Sequence, residues 1–162
     1  MTYEHPGTAI APVRRSVLVQ APPERAFSLF TDGFASWWPF SHSLLRGDYA
    51  AAIIEPAVGG RWYERGRSGA ECVWGRVLAW EPPRRVLLSW QLDEEWDVDP
   101  DPARASEVEI TFAAEGGGTR VVLEHRGFER RAGGGRIAQE VAGAGGWGGL
   151  LETYAEAAQA SS

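Results

Sequence analysis

The chain has 162 residues, 44% hydrophobic and 23% charged, the balance of an ordinary globular protein that buries roughly 70% of its unfolded surface in one domain. Its 16 basic and 22 acidic residues leave a net charge of −6, which argues against nucleic acid or an anionic membrane as the main partner, and no apolar run approaches the roughly 18 residues that span a bilayer. A lone cysteine excludes an internal disulfide, and the three histidines lack zinc-site spacing, so neither metal nor cofactor is expected.

Residues 1–12 hold Pro6, Gly7 and Pro12 without hydrophobic period and read as a loose tail before a single domain over 13–160. The N-terminus lacks the apolar core of a signal peptide, so the cytosol is the expected compartment. "VRRSVLVQ" (13–20) predicts a strand with Val17 and Val19 on one face. Pro22 and Pro23 end it, and Pro23 suits a first helical turn, where its missing N–H costs nothing. Ala26, Phe27, Leu29 and Phe30 then form an apolar stripe that Thr31-Asp32-Gly33 closes. A second short helical turn (34–38) carries Phe34, Trp37 and Trp38 up to Pro39, with Phe40 beyond.

From residue 49 the hydrophobic period becomes two, predicting strands at 49–55, 61–66, 71–80, 85–93, 107–115 and 119–128. In the penultimate strand Val108, Ile110 and Phe112 alternate with Glu107, Glu109 and Thr111, the pattern of an antiparallel sheet covered on one side. Val121, Leu123 and His125 continue the inward phase. The acidic loop 93–106 spaces Asp97, Asp99 and Asp101 alternately but lacks the glycine and distal glutamate of a calcium loop, so it reads as a solvated loop. Near the C-terminus Trp147, Leu150, Leu151, Tyr154 and Ala158 fall at helical spacing. Glycines at 143, 145, 146, 148 and 149, at about 1 kcal/mol each inside a helix, predict a short first helix, a break near 145 and a main helix over 147–160. That helix is the element long enough to cover the sheet's dry face.

Four segments carry a resemblance: "VLVQAPPERAFSLFTD" (17–32), "VGGRWYE" (58–64), "GRVLAWEPPRRVLLSWQ" (75–91) and "GWGGLLETYAE" (146–156). In this order they resemble the START-like superfamily (SRPBCC, helix-grip fold), in its bacterial branch similar to the activator of the heat-shock-protein-90 ATPase. The glycine run before Trp147 departs from that pattern. The resemblance implies an α+β helix-grip fold: a strongly curved antiparallel sheet of about six to seven strands around a long C-terminal helix, with two short helices after strand 1. It also implies an apolar cavity between sheet and helix. Members bind lipids, sterols, polyketides or plant hormones, and a minority catalyse cyclisation or dehydration; the fold licenses a pocket, not a reaction.

The eight tryptophans are the clue that the totals single out. With their strand faces inward, Trp62, Trp74 and Trp90 line the concave side and Trp37, Trp38 and Phe40 close one end, or the rings simply fill the core. Phe112, Trp147, Leu151 and Tyr154 complete the expected lining. Glu64 and Arg76, in phase with inward residues on neighbouring strands, read as a partly solvated pair near the sheet edge, or alternatively as a polar anchor for a ligand. His125 reads as a core histidine bonded to a backbone carbonyl, with a general base as the alternative. Trp96 either caps the cavity mouth or is a chance exposed ring, and Cys72 reads as a small buried residue.

The expectation that leads is a protein binding a small hydrophobic, aromatic or lipid-like molecule, without nucleic-acid or membrane partners; a homodimer stays open. An enzyme of cyclase or dehydratase type on a polyketide-like substrate is the first alternative, requiring Glu64, Arg76 and His125 to converge. A co-chaperone-like interaction module is the second.

Overall fold

The computed structural model describes residues 9–39, 42–143 and 145–160. Phe40 and the first eight residues of the expected tail lie outside the described residues. Strand β1 (Val13–Val19) is followed by helices α1 (Pro23–Thr31) and α2 (Phe34–Trp37). Strands β2 (Tyr49–Ile54), β3 (Arg61–Gly66), β4 (Glu71–Glu81), β5 (Arg85–Trp90), β6 (Ser106–Glu115) and β7 (Gly118–Arg126) come next. Helices α3 (Gly134–Ala142) and α4 (Trp147–Ala160) close the chain, with the break where the glycines predict it. No helix among the described residues is long and apolar enough to cross a membrane.

All seven strands form one curled antiparallel sheet in the order β1-β7-β6-β5-β4-β3-β2. The period-two pattern explains its two faces. Val86, Leu88, Val108, Ile110, Val121 and Leu123 are fully buried on the concave side. On the convex side Arg85 pairs with Glu109, and Arg126 with Glu107, Glu109 and Glu124. Each such half-exposed pair contributes at most about 1 kcal/mol, but the ladder keeps that face wet.

Helix α4 packs along β1 and touches α1, α2 and α3, filling the grip. The Tyr154 hydroxyl donates to the Ala26 carbonyl at 2.7 Å, which locks α4 to α1, and burial pushes its pKa up. Phe27 and Phe30 of α1 meet Phe112 edge-on, with ring centroids 5.2 and 6.0 Å apart.

The strand pattern breaks in one place that matters. Trp62 of β3 pairs with Gly75 but Tyr63 pairs with Val73, so Trp74 is the extra residue of a β-bulge. Beyond a bulge the alternation inverts: Val77 is buried, whereas Arg76 and Leu78 are exposed. Arg76 and Leu78 therefore do not share Trp74's inner face, contrary to the unbroken alternation expected from the sequence. A second shift, between Val77 and Ala79, returns Trp80 to the inner side, where it meets Phe27 edge-on at 5.1 Å. Glycine is required at position 75, because a Cβ there would collide with the Ser89 carbonyl oxygen. Strand β5 also ends earlier than expected: Leu92 forms only a bridge to Val98.

Candidate functional site

A cavity of about 410 Å³ opens between the inner face of β3–β5, the segment joining α2 to β2, and the elbow between α3 and α4. Five tryptophans wall it: Trp38 after α2, Trp74 at the bulge, Trp90 at the end of β5, Trp96 in the acidic loop and Trp147 at the start of α4. The rings support one another. Trp38 stacks between Phe34, 4.8 Å away, and Trp74, 6.3 Å away. Trp147 and Trp96 meet Trp90 edge-on at 5.8 and 6.2 Å.

Polar demand separates the indoles into two groups. Trp37 donates to the Leu29 carbonyl and Trp147 to His125 Nδ1. The buried indole N–H groups of Trp38, Trp62, Trp74 and Trp90 have no acceptor among the described residues. At about 1–3 kcal/mol each, their combined cost is comparable with the net stability of a typical domain, about 5–15 kcal/mol. The apolar faces of these rings, not their N–H groups, determine the packing.

Glu64 lies on β3 at the base of the cavity and is fully buried. Its carboxylate accepts from the Ser43 hydroxyl at 2.9 Å, the Leu44 N–H at 2.9 and 3.0 Å and the Leu45 N–H at 3.0 Å. It is neither a solvated edge pair nor near Arg76, which the bulge turns to the opposite face. Glu64 instead fastens the 42–46 segment, which contributes His42, Leu44 and Arg46 to the wall. His42 bonds to the Gly145 carbonyl through Nε2 at 2.8 Å, joining that segment to the α3–α4 elbow. A Cβ at Gly146 would collide with the Val141 carbonyl, so glycine is what lets the elbow fold this tightly beside the cavity.

Behind the wall, Trp147 N–H donates to His125 Nδ1 at 3.0 Å. The proton of a neutral His125 is thereby placed on Nε2, which donates to the Ser106 hydroxyl at 2.7 Å. Burial pushes the His125 pKa down to about 3, so the ring is neutral. Its partners are two side chains, not the backbone carbonyl that the sequence reading assigned. The acidic loop that carries Trp96 is tied down at Asp99, which takes hydrogen bonds from Arg104 and Arg131. Chiefly through Arg104, these contacts hold the Asp99 carboxyl well below the usual range.

Of the residues expected to line a cavity, Trp38, Glu64, Trp74, Trp90 and Trp147 come together here. Trp62 forms a second layer, 5.3 Å behind Trp74 and 5.8 Å from Trp90. Trp37, Phe112, Leu151 and Tyr154 are core, His125 lies beneath Trp147, and Arg76 is on the other face. Glu64, Arg76 and His125 therefore do not form one acid–base site. Cys72 is half-buried rather than buried, and burial together with the Glu64 charge pushes its thiol pKa up. Sequence reasoning missed His42, Arg46 and the elbow residues Gln139 and Glu140. The glycine run was the available sign of an elbow, and nothing in the local pattern marked the 42–46 segment.

The profile of activator of Hsp90 ATPase homolog 1-like proteins matches residues 20–157. The chain belongs to this family. Among solved structures, this family member is similar to one described as an anthrahydroquino-γ-pyrone synthase, Txn09, complexed with SUM. The two are 41% identical over 91% of this chain and 97% of that one, with a TM-score of 0.63. It is also similar to CalC, a self-sacrificing resistance protein from Micromonospora echinospora, at 30% identity over 93% and 95% of the two chains, TM-score 0.68. Protein MLL2253 from Mesorhizobium loti, 23% identical over 94% and 99% of the chains at a TM-score of 0.65, shares the fold. A comparison with curated proteins finds no match. The START-like helix-grip architecture inferred from the four sequence segments is thus that of the family.

Proposed function

We propose that this protein binds a planar, polycyclic, polyketide-like molecule in the tryptophan-walled cavity. The observation that carries the reading is the cavity itself: about 410 Å³ bounded by five indole rings from separate elements. That volume lies within the roughly 300–1,000 Å³ of small-molecule sites, and aromatic faces favour a flat ring system through stacking at about 0.5–1.5 kcal/mol per pair. A ligand oxygen that reaches one of the unpartnered indole N–H groups recovers part of its burial cost. The 41% identical relative, named for an anthrahydroquinone-type product, supports the same ligand class.

The test is a titration of tryptophan emission with neutral anthraquinone-2-methanol. Saturable quenching at one equivalent is expected, weakened about tenfold or more by Trp74→Ala, as for a ring at the centre of a binding site. A linear response, or one insensitive to Trp74→Ala, overturns the reading.

A second reading is cyclisation of a polyketide-like chain in the same cavity, favoured by that relative's designation as a synthase and by a histidine on the wall. His42, held to the Gly145 carbonyl through Nε2, would be the wall residue to serve such a reaction as a base. Conversion of the bound molecule, rather than its retention unchanged, separates this reading from binding alone.

A further inference from the structure

Two described non-glycine residues have a positive φ, Arg46 at 52° and Trp96 at 66°, and both line the cavity. A left-handed backbone disfavours any side chain bearing a Cβ, and it persists where the surroundings over-determine it, most often at functional sites. For Arg46 the determinants are specific hydrogen bonds. Its N–H donates to Ser43 Oγ at 2.9 Å, and that hydroxyl donates in turn to the buried Glu64 carboxylate at 2.9 Å. The next residues are held as well: Arg67 donates to the Gly47 carbonyl, and Asp48 accepts from the Ser68 N–H and hydroxyl at 3.1 and 2.6 Å. A fully buried carboxylate is thus committed to fixing a strained backbone that carries an exposed arginine on the cavity rim.

The guanidinium so placed has no ion pair or hydrogen bond among the described residues, whereas Arg61, Arg85 and Arg126 each satisfy two or more carboxylates. Among the described residues it is the sole guanidinium on the cavity wall. Of the two carboxylates there, Glu64 is occupied by backbone donors, and Glu140 lies on α3 beyond ion-pair distance of Arg46. Guanidinium recognises carboxylate and phenolate oxygens better than any other side chain does, through paired N–H donors.

We propose that Arg46 recognises an anionic oxygen on the bound molecule, so that the preferred ligand is an acidic polycyclic aromatic. This rests on the reading of the cavity as an aromatic site, and the test separates the two. Affinities for anthraquinone-2-carboxylate and the neutral anthraquinone-2-methanol are measured in the wild type, R46G and R46K. Glycine suits the positive φ, so R46G removes the guanidinium while favouring the same loop backbone. The wild type is expected to bind the carboxylate about fivefold or more tightly than the neutral probe, as for a partly exposed charge pair. R46G brings that ratio close to one, R46K restores part of it, and added salt narrows it in the wild type but not in R46G. Equal binding of both probes by the wild type, or an unchanged ratio in R46G, overturns the role of Arg46 and leaves the aromatic site standing. Failure of both probes to bind overturns the aromatic site and this proposal with it.

Discussion

At the scale of single residues, His125 shows how a titratable group can be fixed by what surrounds it. Accepting from Trp147 and donating to Ser106, it has both ring nitrogens occupied in the neutral state, and a proton on Nδ1 would break the bond that orients a cavity-wall indole. Burial holds its pKa near 3 against 6.5 for a free ring. The folded state therefore binds fewer protons than the unfolded state between these values, and stability is full above pH 6.5 and falls as the pH drops towards 3. At 1.36 kcal/mol per unit, the wild type is expected to lose about 2 kcal/mol between pH 7 and 5 that His125→Gln does not lose. Denaturant unfolding of both proteins at the two pH values checks this, and parallel losses would remove His125 as the cause. Carboxylates held low by arginines, such as Asp99, lose their contribution only below about pH 4, outside that window. The inward phase of His125 was legible from Val121 and Leu123, but its partners were not, since Ser106 and Trp147 belong to other elements.

Elements tell the same story at larger range. Strand periods, the α1 stripe and the glycine break before α4 were legible because each rests on neighbours in sequence. The bulge at Trp74 was not: Trp74, Arg76, Leu78 and Trp80 fit an unbroken alternation on paper, and Gly75 alone hinted at the inversion. The 42–46 segment was equally silent, because Glu64, on a different strand, dictates its course. That dependence is testable. Glu64→Gln offers one acceptor oxygen where the carboxylate offers two, and turns an NH₂ towards backbone donors. Given about 1.5–3 kcal/mol for a hydrogen bond to a charged group, a loss of about 2–4 kcal/mol in stability is expected. Amide hydrogen exchange should accelerate first at Leu44 and Leu45, whose N–H groups the carboxylate accepts. Unchanged protection there would show that the segment holds itself without Glu64.

For the whole molecule, the distribution of surface bears on the proposed role. The convex face of the sheet is laced with ion pairs from Arg85 to Arg130, a poor surface for a stable protein partner, whose contact centre is depleted of charge. The concave face is apolar, capped by α4 at one side and left open at the tryptophan-walled end. A molecule bound there touches β3, β4, β5, the acidic loop, the 42–46 segment and the α3–α4 elbow together, so its binding energy is shared by the global fold. Linkage then fixes the size of the effect. A ligand at 100 times its Kd adds about 2.7 kcal/mol, which for a domain of this length raises Tm by about 5–11 °C. Trp96 is 38% exposed at the rim, so Trp96→Ala should leave the free protein's Tm within a few degrees while shrinking the increment from anthraquinone-2-methanol. Thermal unfolding across a probe concentration series measures both quantities. A Tm independent of probe concentration in the wild type would mean that the molecule associates with the surface without engaging the grip of sheet and helix.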